Sequence, residues 1–100
     1  MVKDLSECVV LRVWRKAPHG VIALWPAVAA DANGSLCQSF EHIGQHGGAD
    51  YQGVIRQTRP ATLEEASELL AELRQRGYVP VVVKRATRSM IQQRLEDLSA

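Results

Sequence analysis

Between Cys37 and Tyr51 the chain gathers a thiol, two histidines and an aspartate within fifteen residues: Cys37, His42, His46 and Asp50. Imidazole, thiolate and carboxylate are the ligands of zinc, and the same groups serve as nucleophile, base and orienting acid. The spacing argues against both uses. Along one strand Cys37 and His42 have opposite parity and face opposite sides of a sheet. His42 and His46 have the four-residue spacing of helical zinc peptidases. However, Gly44, Gly47 and Gly48 oppose a helix, and Ile43 stands where the general-base glutamate belongs. No metal and no cofactor is expected. Nothing around Cys37 matches a nucleophile signature, and a cysteine in a half-buried strand is more often an inert small hydrophobe. The expectation is a strand running into a glycine-bent loop. There His42, Gln45, His46, Asp50 and Tyr51 bond to the backbone or contact a ligand or partner.

A second cluster, Lys84-Arg85-Ala86-Thr87-Arg88-Ser89, stands where a strand passes into a helix. Helix N-termini carry partial positive charge and favour acids, so Lys84, Arg85 and Arg88 oppose the dipole. With Thr87 they are expected to meet an anion or acidic side chains. Glu64, Glu65, Glu68 and Glu72, or acids on a second subunit, are the candidates. A third feature is the pair Trp14 and Trp25, with Arg12 and Arg15 nearby in sequence. Core packing is the first expectation for each tryptophan. A tryptophan on an outer sheet face points instead to an interface between copies.

These groups need elements to hold them. Cys8–Lys16 alternates as a strand with one clean apolar face and one mixed face. Ala17-Pro18-His19-Gly20 reads as a type I turn, with proline second. The returning strand, Val21–Trp25, is stopped by Pro26. Ala27–Ala32 reads as a short extended piece or a helical turn, and Asn33-Gly34 is a turn signal. Leu36–Ile43 is a third strand. Gly44, Gly47 and Gly48 make a loop, and Tyr51–Gln57 reads as a short strand. Thr62 and Glu65 form a capping box for a helix over Leu63–Arg76, stopped by Gly77. Tyr78–Arg85 is a strand; Pro80 cannot donate to a ladder, so this is an edge strand or Pro80 lies at its very start. Arg88–Leu98 is a short amphipathic helix through Ile91, Leu95 and Leu98. The order is β-β-(β)-β-β-α-β-α. It predicts an α+β fold: an antiparallel sheet of about four to five strands, with two helices on one face.

Composition sets the outer bounds. One hundred residues with 46% hydrophobic and 23% charged content predict a single domain over residues 1–100. Twelve basic and eleven acidic residues leave a formal charge of +1, so nucleic acid is not an expected partner. No run approaches the roughly 18 apolar residues of a membrane span, and the first residues lack an apolar signal core. Two cysteines are expected as reduced thiols in the cytoplasm.

The stretches Ala23-Leu24-Trp25-Pro26, Cys37–Tyr51 and Thr58-Arg59-Pro60-Ala61 resemble small uncharacterised bacterial proteins of mobile DNA, such as plasmids, genomic islands and integron cassettes. The resemblance implies a bacterial accessory protein of the cytoplasm and carries over no catalytic or binding residue. The expected function is a non-enzymatic module that self-associates, as a dimer, and binds a protein or small ligand. Trp14 and Trp25 are the interface candidates. Two alternatives stand beside it. One is a small enzyme using Cys37, His42, His46 and Asp50. The other is a nucleic-acid-binding accessory protein using Lys84, Arg85, Arg88 and Arg94.

Overall fold

Cys8–Trp14 (β1) is dense in β-branched residues, the composition that suits a pleated, buried surface. Every residue from Cys8 to Val13 is buried, Arg12 included. As far as Arg12 the mixed face is therefore as covered as the clean one. The computed structural model describes residues 4–41 and 45–99.

β1 pairs antiparallel with Val21–Ala29 (β2), Val10 opposite Leu24 and Val13 opposite Val21. The turn between them starts one residue earlier than its sequence suggests. The His19 amide donates to the Lys16 carbonyl at 3.0 Å, so Pro18 stands third in the turn, behind a cis peptide bond. His19 takes the left-handed conformation at φ 58°. β2 does not stop at Pro26. It pairs antiparallel with Cys37–Glu41 (β3), and the register jumps from Trp25↔Gln38 to Ala29↔Cys37. Pro26 thus sits in a bulge, where its missing N–H costs no ladder bond. The expected loop at the glycines is instead Gln45–Ala49 (β4), antiparallel to β3, with Gly48 opposite Gln38.

Tyr51–Gln57 is a helix, α1, rather than a strand. Thr58–Pro60 (β5) follows and pairs antiparallel with the end of β1. The capping box at Thr62 and Glu65 forms reciprocally: the Glu65 amide donates to Thr62 Oγ1 at 3.1 Å, and the Thr62 amide to Glu65 Oε1 at 2.9 Å. It closes a separate turn over residues 63–66, after which the regular helix Ser67–Gln75 (α2) begins. Val81–Val83 (β6) lies parallel to β1, Val9 opposite Val82. Arg88–Ser99 (α3) is the last helix.

The sheet order is β4-β3-β2-β1-β5, with β6 also against β1. β5 takes residues 12–14 of β1 and β6 takes residues 8–10, so the two share one flank. The helices cover both faces, not one. On the first face Leu69, Leu70 and Leu73 of α2 pack on Val9, Leu11, Ala23, Trp25 and Phe40. On the second, Tyr51 and Val54 of α1 pack on Val10, Ile22, Leu24 and Cys37. Met90 of α3 joins Cys8 and Ala27 beside them. Among the described residues no helix is long and apolar enough to cross a membrane.

Candidate functional site

Gly77 ends α2 at φ 96°, a conformation that glycine adopts without penalty. The Gly77 amide donates to the Arg74 carbonyl and the Tyr78 amide to the Leu73 carbonyl, both at 3.0 Å, the two bonds of a Schellman motif. This folds the chain back, so that the Tyr78 ring lies over Trp25 of β2. The centroids are 5.5 Å apart and the planes are inclined by 36°. Trp25 is buried on the α2 face, while Tyr78 is 40% exposed. Beside the pair opens a groove of about 420 Å³. Trp25, Val28, Tyr78 and Val79 supply its apolar surface, and Ser6, Glu7 and Gln38 its polar groups. Gln38 is held by a 3.3 Å bond from Nε2 to the Ala29 carbonyl, across the β2 bulge. The Arg76 guanidinium stands 5.2 Å from the centre of the Phe40 ring, a cation–π contact.

The residues expected to form one polar loop are dispersed. His42 lies outside the described residues. Gln45 and His46 belong to β4, opposite Glu41 and Phe40 in register. Asp50 precedes α1 and is exposed; its carbonyl accepts the Val54 amide at 2.9 Å. Tyr51 is buried, and its hydroxyl accepts the Ala86 amide at 2.8 Å, which ties α1 to the segment entering α3. That places Tyr51 in the core of the second face rather than on a binding surface. Among the described residues no group of three His, Cys, Asp or Glu side chains converges.

Cys37 is fully buried, and burial pushes its thiol up to about 11, helped by the negative charge of Asp50 and opposed by nearby Arg94. At neutral pH it is a protonated thiol, not a nucleophile. Arg94 is buried as well, at 8% exposure, with Nη1 donating to the Pro26 carbonyl at 3.2 Å. It therefore cannot belong to the basic surface that its sequence position suggests. Its Nε has no hydrogen-bond partner among the described residues.

Lys84, Arg85 and Arg88 are exposed. Thr87 caps α3, its hydroxyl accepting the Met90 amide at 3.3 Å. Two of the proposed acidic partners are engaged elsewhere: Glu65 with Arg59 at 2.6 Å and Glu72 with Arg76 at 3.4 Å. The tryptophans stand on opposite faces. Trp14 is half-buried beside the α1 cluster, and Trp25 is in the groove. Arg12, near Trp14 in sequence, is buried. Its guanidinium donates to the carbonyls of Ile55 and Thr58 and to Thr58 Oγ1, at the C-terminal end of α1. A cation there meets the negative pole of the helix.

Sequence reasoning found Trp25 but not Tyr78, Gln38 or Val28. The signal for Tyr78 was present: an aromatic directly after a helix-ending glycine is returned onto the helix it leaves. Gln38 and Val28 gave none, because the bulge that brings them together depends on pairing between strands. Comparison with protein-family models, with curated proteins and with solved structures gives no match.

Proposed function

We propose that the protein is a non-enzymatic binding module that self-associates and takes a small ligand or a peptide side chain in the groove beside Trp25 and Tyr78. The observation that carries this reading is the groove itself: a concave, mostly apolar site of about 420 Å³ with a few convergent polar groups. Those polar groups, Ser6, Glu7 and Gln38, suit a ligand with an aromatic or aliphatic body and a hydrogen-bonding or cationic end. The protonated, enclosed Cys37 supports binding over thiol chemistry. Residence in the cytoplasm and carriage on mobile DNA belong to the same proposal. They rest on the two free cysteines and on the resemblance of the Trp25 and Cys37–Tyr51 segments.

The test uses tryptophan emission. Trp14→Phe leaves Trp25 as the sole reporter. A library of aromatic amines and amides should contain members that change Trp25 emission with saturation. Tyr78→Ala should weaken them about tenfold, a typical loss for one aromatic contact. Amide shifts should concentrate at Gln38, Gly77 and Tyr78. Saturable binding with shifts elsewhere, or none across the library, overturns the reading.

A further inference from the structure

β6 is the outer strand of its flank, with β1 as its one strand neighbour among the described residues. It is short and unusually apolar for an edge: Val81 is 48% exposed and Val82 41%, and Val79 just before it is 64% exposed. The Val81 amide donates inward, to the Glu7 carbonyl at 2.9 Å. Strand alternation then turns the amide and carbonyl of Val82 outward, where they stand ready for another strand. Pro80 and Lys84 bracket this window. Pro80 has no amide to donate, so the window cannot extend that way by its own N–H.

We propose that β6 pairs antiparallel with β6 of a second copy, on a two-fold axis through Val82. This rests on the reading of the chain as a self-associating module and names the surface that does it. On that axis Val82 faces its own copy and the two residues exchange both hydrogen bonds. Val81 faces Val83, and the Lys84 amide reaches the Pro80 carbonyl, which accepts although Pro80 cannot donate. A two-fold interface requires such a self-complementary patch.

Charge selects the second copy as the occupant. Cys8 stands opposite Val81, which sets Glu7 beside Pro80, and both line the same groove. The paired register brings Lys84 of the partner subunit next to Pro80 on its other side. The row across the joined sheets is then Glu7, Pro80 and the partner's Lys84. The small proline ring leaves the two long side chains free to meet over it. Glu7 and Lys84 are exposed, and no ion pair joins either to another described residue. By symmetry the contact forms twice. The cation cluster that opposes the dipole of α3 thus acquires an acidic partner on the other copy, at one edge of the Trp25 groove.

Proline scanning tests the geometry. Val82→Pro deletes only an outward amide, so the monomer fold and its melting temperature should hold while the dimer weakens about tenfold or more. Val81→Pro deletes the amide bonded to Glu7 and should lower the melting temperature instead. The charge row is tested by sedimentation equilibrium of Glu7→Lys, of Lys84→Glu and of the double variant. Each single change should weaken the dimer, and the double swap should recover it. A wild type that stays monomeric at a concentration of 0.1 mM or higher (roughly the ceiling for a specific edge contact) removes self-association altogether. A dimer that Val82→Pro leaves intact, or singles that the double swap does not rescue, overturns the β6 pairing while self-association stands.

Discussion

A thiol held at about 11 inside a closed sheet reacts only when the sheet opens. Alkylation of the native protein at pH 8 should therefore leave Cys37 unlabelled over minutes and label it at once in denaturant, as peptide mass spectrometry can read. Rapid native labelling would contradict its enclosure. Glu65 carries the opposite shift. The bidentate Arg59 contact, together with the Thr62 amide, lowers its carboxyl to about 2. A depressed acid stabilises the fold fully above its unfolded value near 4.5, and that stabilisation is lost as pH falls toward 2. The melting-temperature gap between the native protein and Glu65→Gln should thus be widest above pH 5 and shrink on acidification. A gap constant with pH would remove the Arg59–Glu65–Thr62 cluster as an acid-sensitive tie.

At the scale of elements, one contact ties α1 to the sheet and another seats α3 on the turn between β2 and β3. Arg12 supplies three donors to the end of α1. Arg12→Met should cost about 1–3 kcal/mol through the buried hydrogen bonds it removes, read from denaturant midpoints. Arg15→Met, which removes a part-buried 3.1 Å bond from an exposed side chain to the Thr58 carbonyl, should cost less, within about 1 kcal/mol. Gly34 lies under α3 at φ 75°, where a Cβ would come within 2.7 Å of Leu98 Cδ1 and 2.9 Å of Leu95 Cδ2. Gly34→Ala should cost about 1–3 kcal/mol by strain and overpacking, and shift the amide resonances of the last two turns of α3.

The elements also mark what could be read beforehand. The capping box, the Gly77 stop, the edge placement of the Pro80 strand and the last helix came from local chemistry that acts within a few residues. The α+β class followed from their order. Tyr51–Gln57 was misread because apolar content was weighed above period: Tyr51, Val54 and Ile55 follow i, i+3, i+4, a helical face. β4 was hidden by its glycines, which disfavour strands in isolation. Gly48 is needed there because a Cβ would stand 3.1 Å from Leu36 Cδ1 and 3.3 Å from Ala30 Cβ. The burial of Arg12 and Arg94, and the groove of Trp25, depend on partners distant in sequence. No local pattern announces them.

For the whole molecule, the sheet is closed between α2 on one face and α1 with α3 on the other, within a radius of gyration of 12.9 Å. Its most enclosed strands are β1 and β2, and native-state hydrogen exchange should find their slowest amides there. Faster exchange in β1 than in β4 would mean that the hub of the sheet is not its most stable part. The divided flank of β1 has a consequence for synthesis. β1 is bonded on one side by β2 but is completed on the other only by residues 58–60 and 81–83, which are synthesised later. Val10 must wait for Val83, and at about 5–20 residues per second that delay is several seconds. Throughout it the nascent chain shows a bare valine-rich margin to its neighbours on the polysome. A ribosome stalled before the Val81 codon would hold that margin open, and the released fragment would be a substrate for holdase chaperones rather than a smaller folded protein.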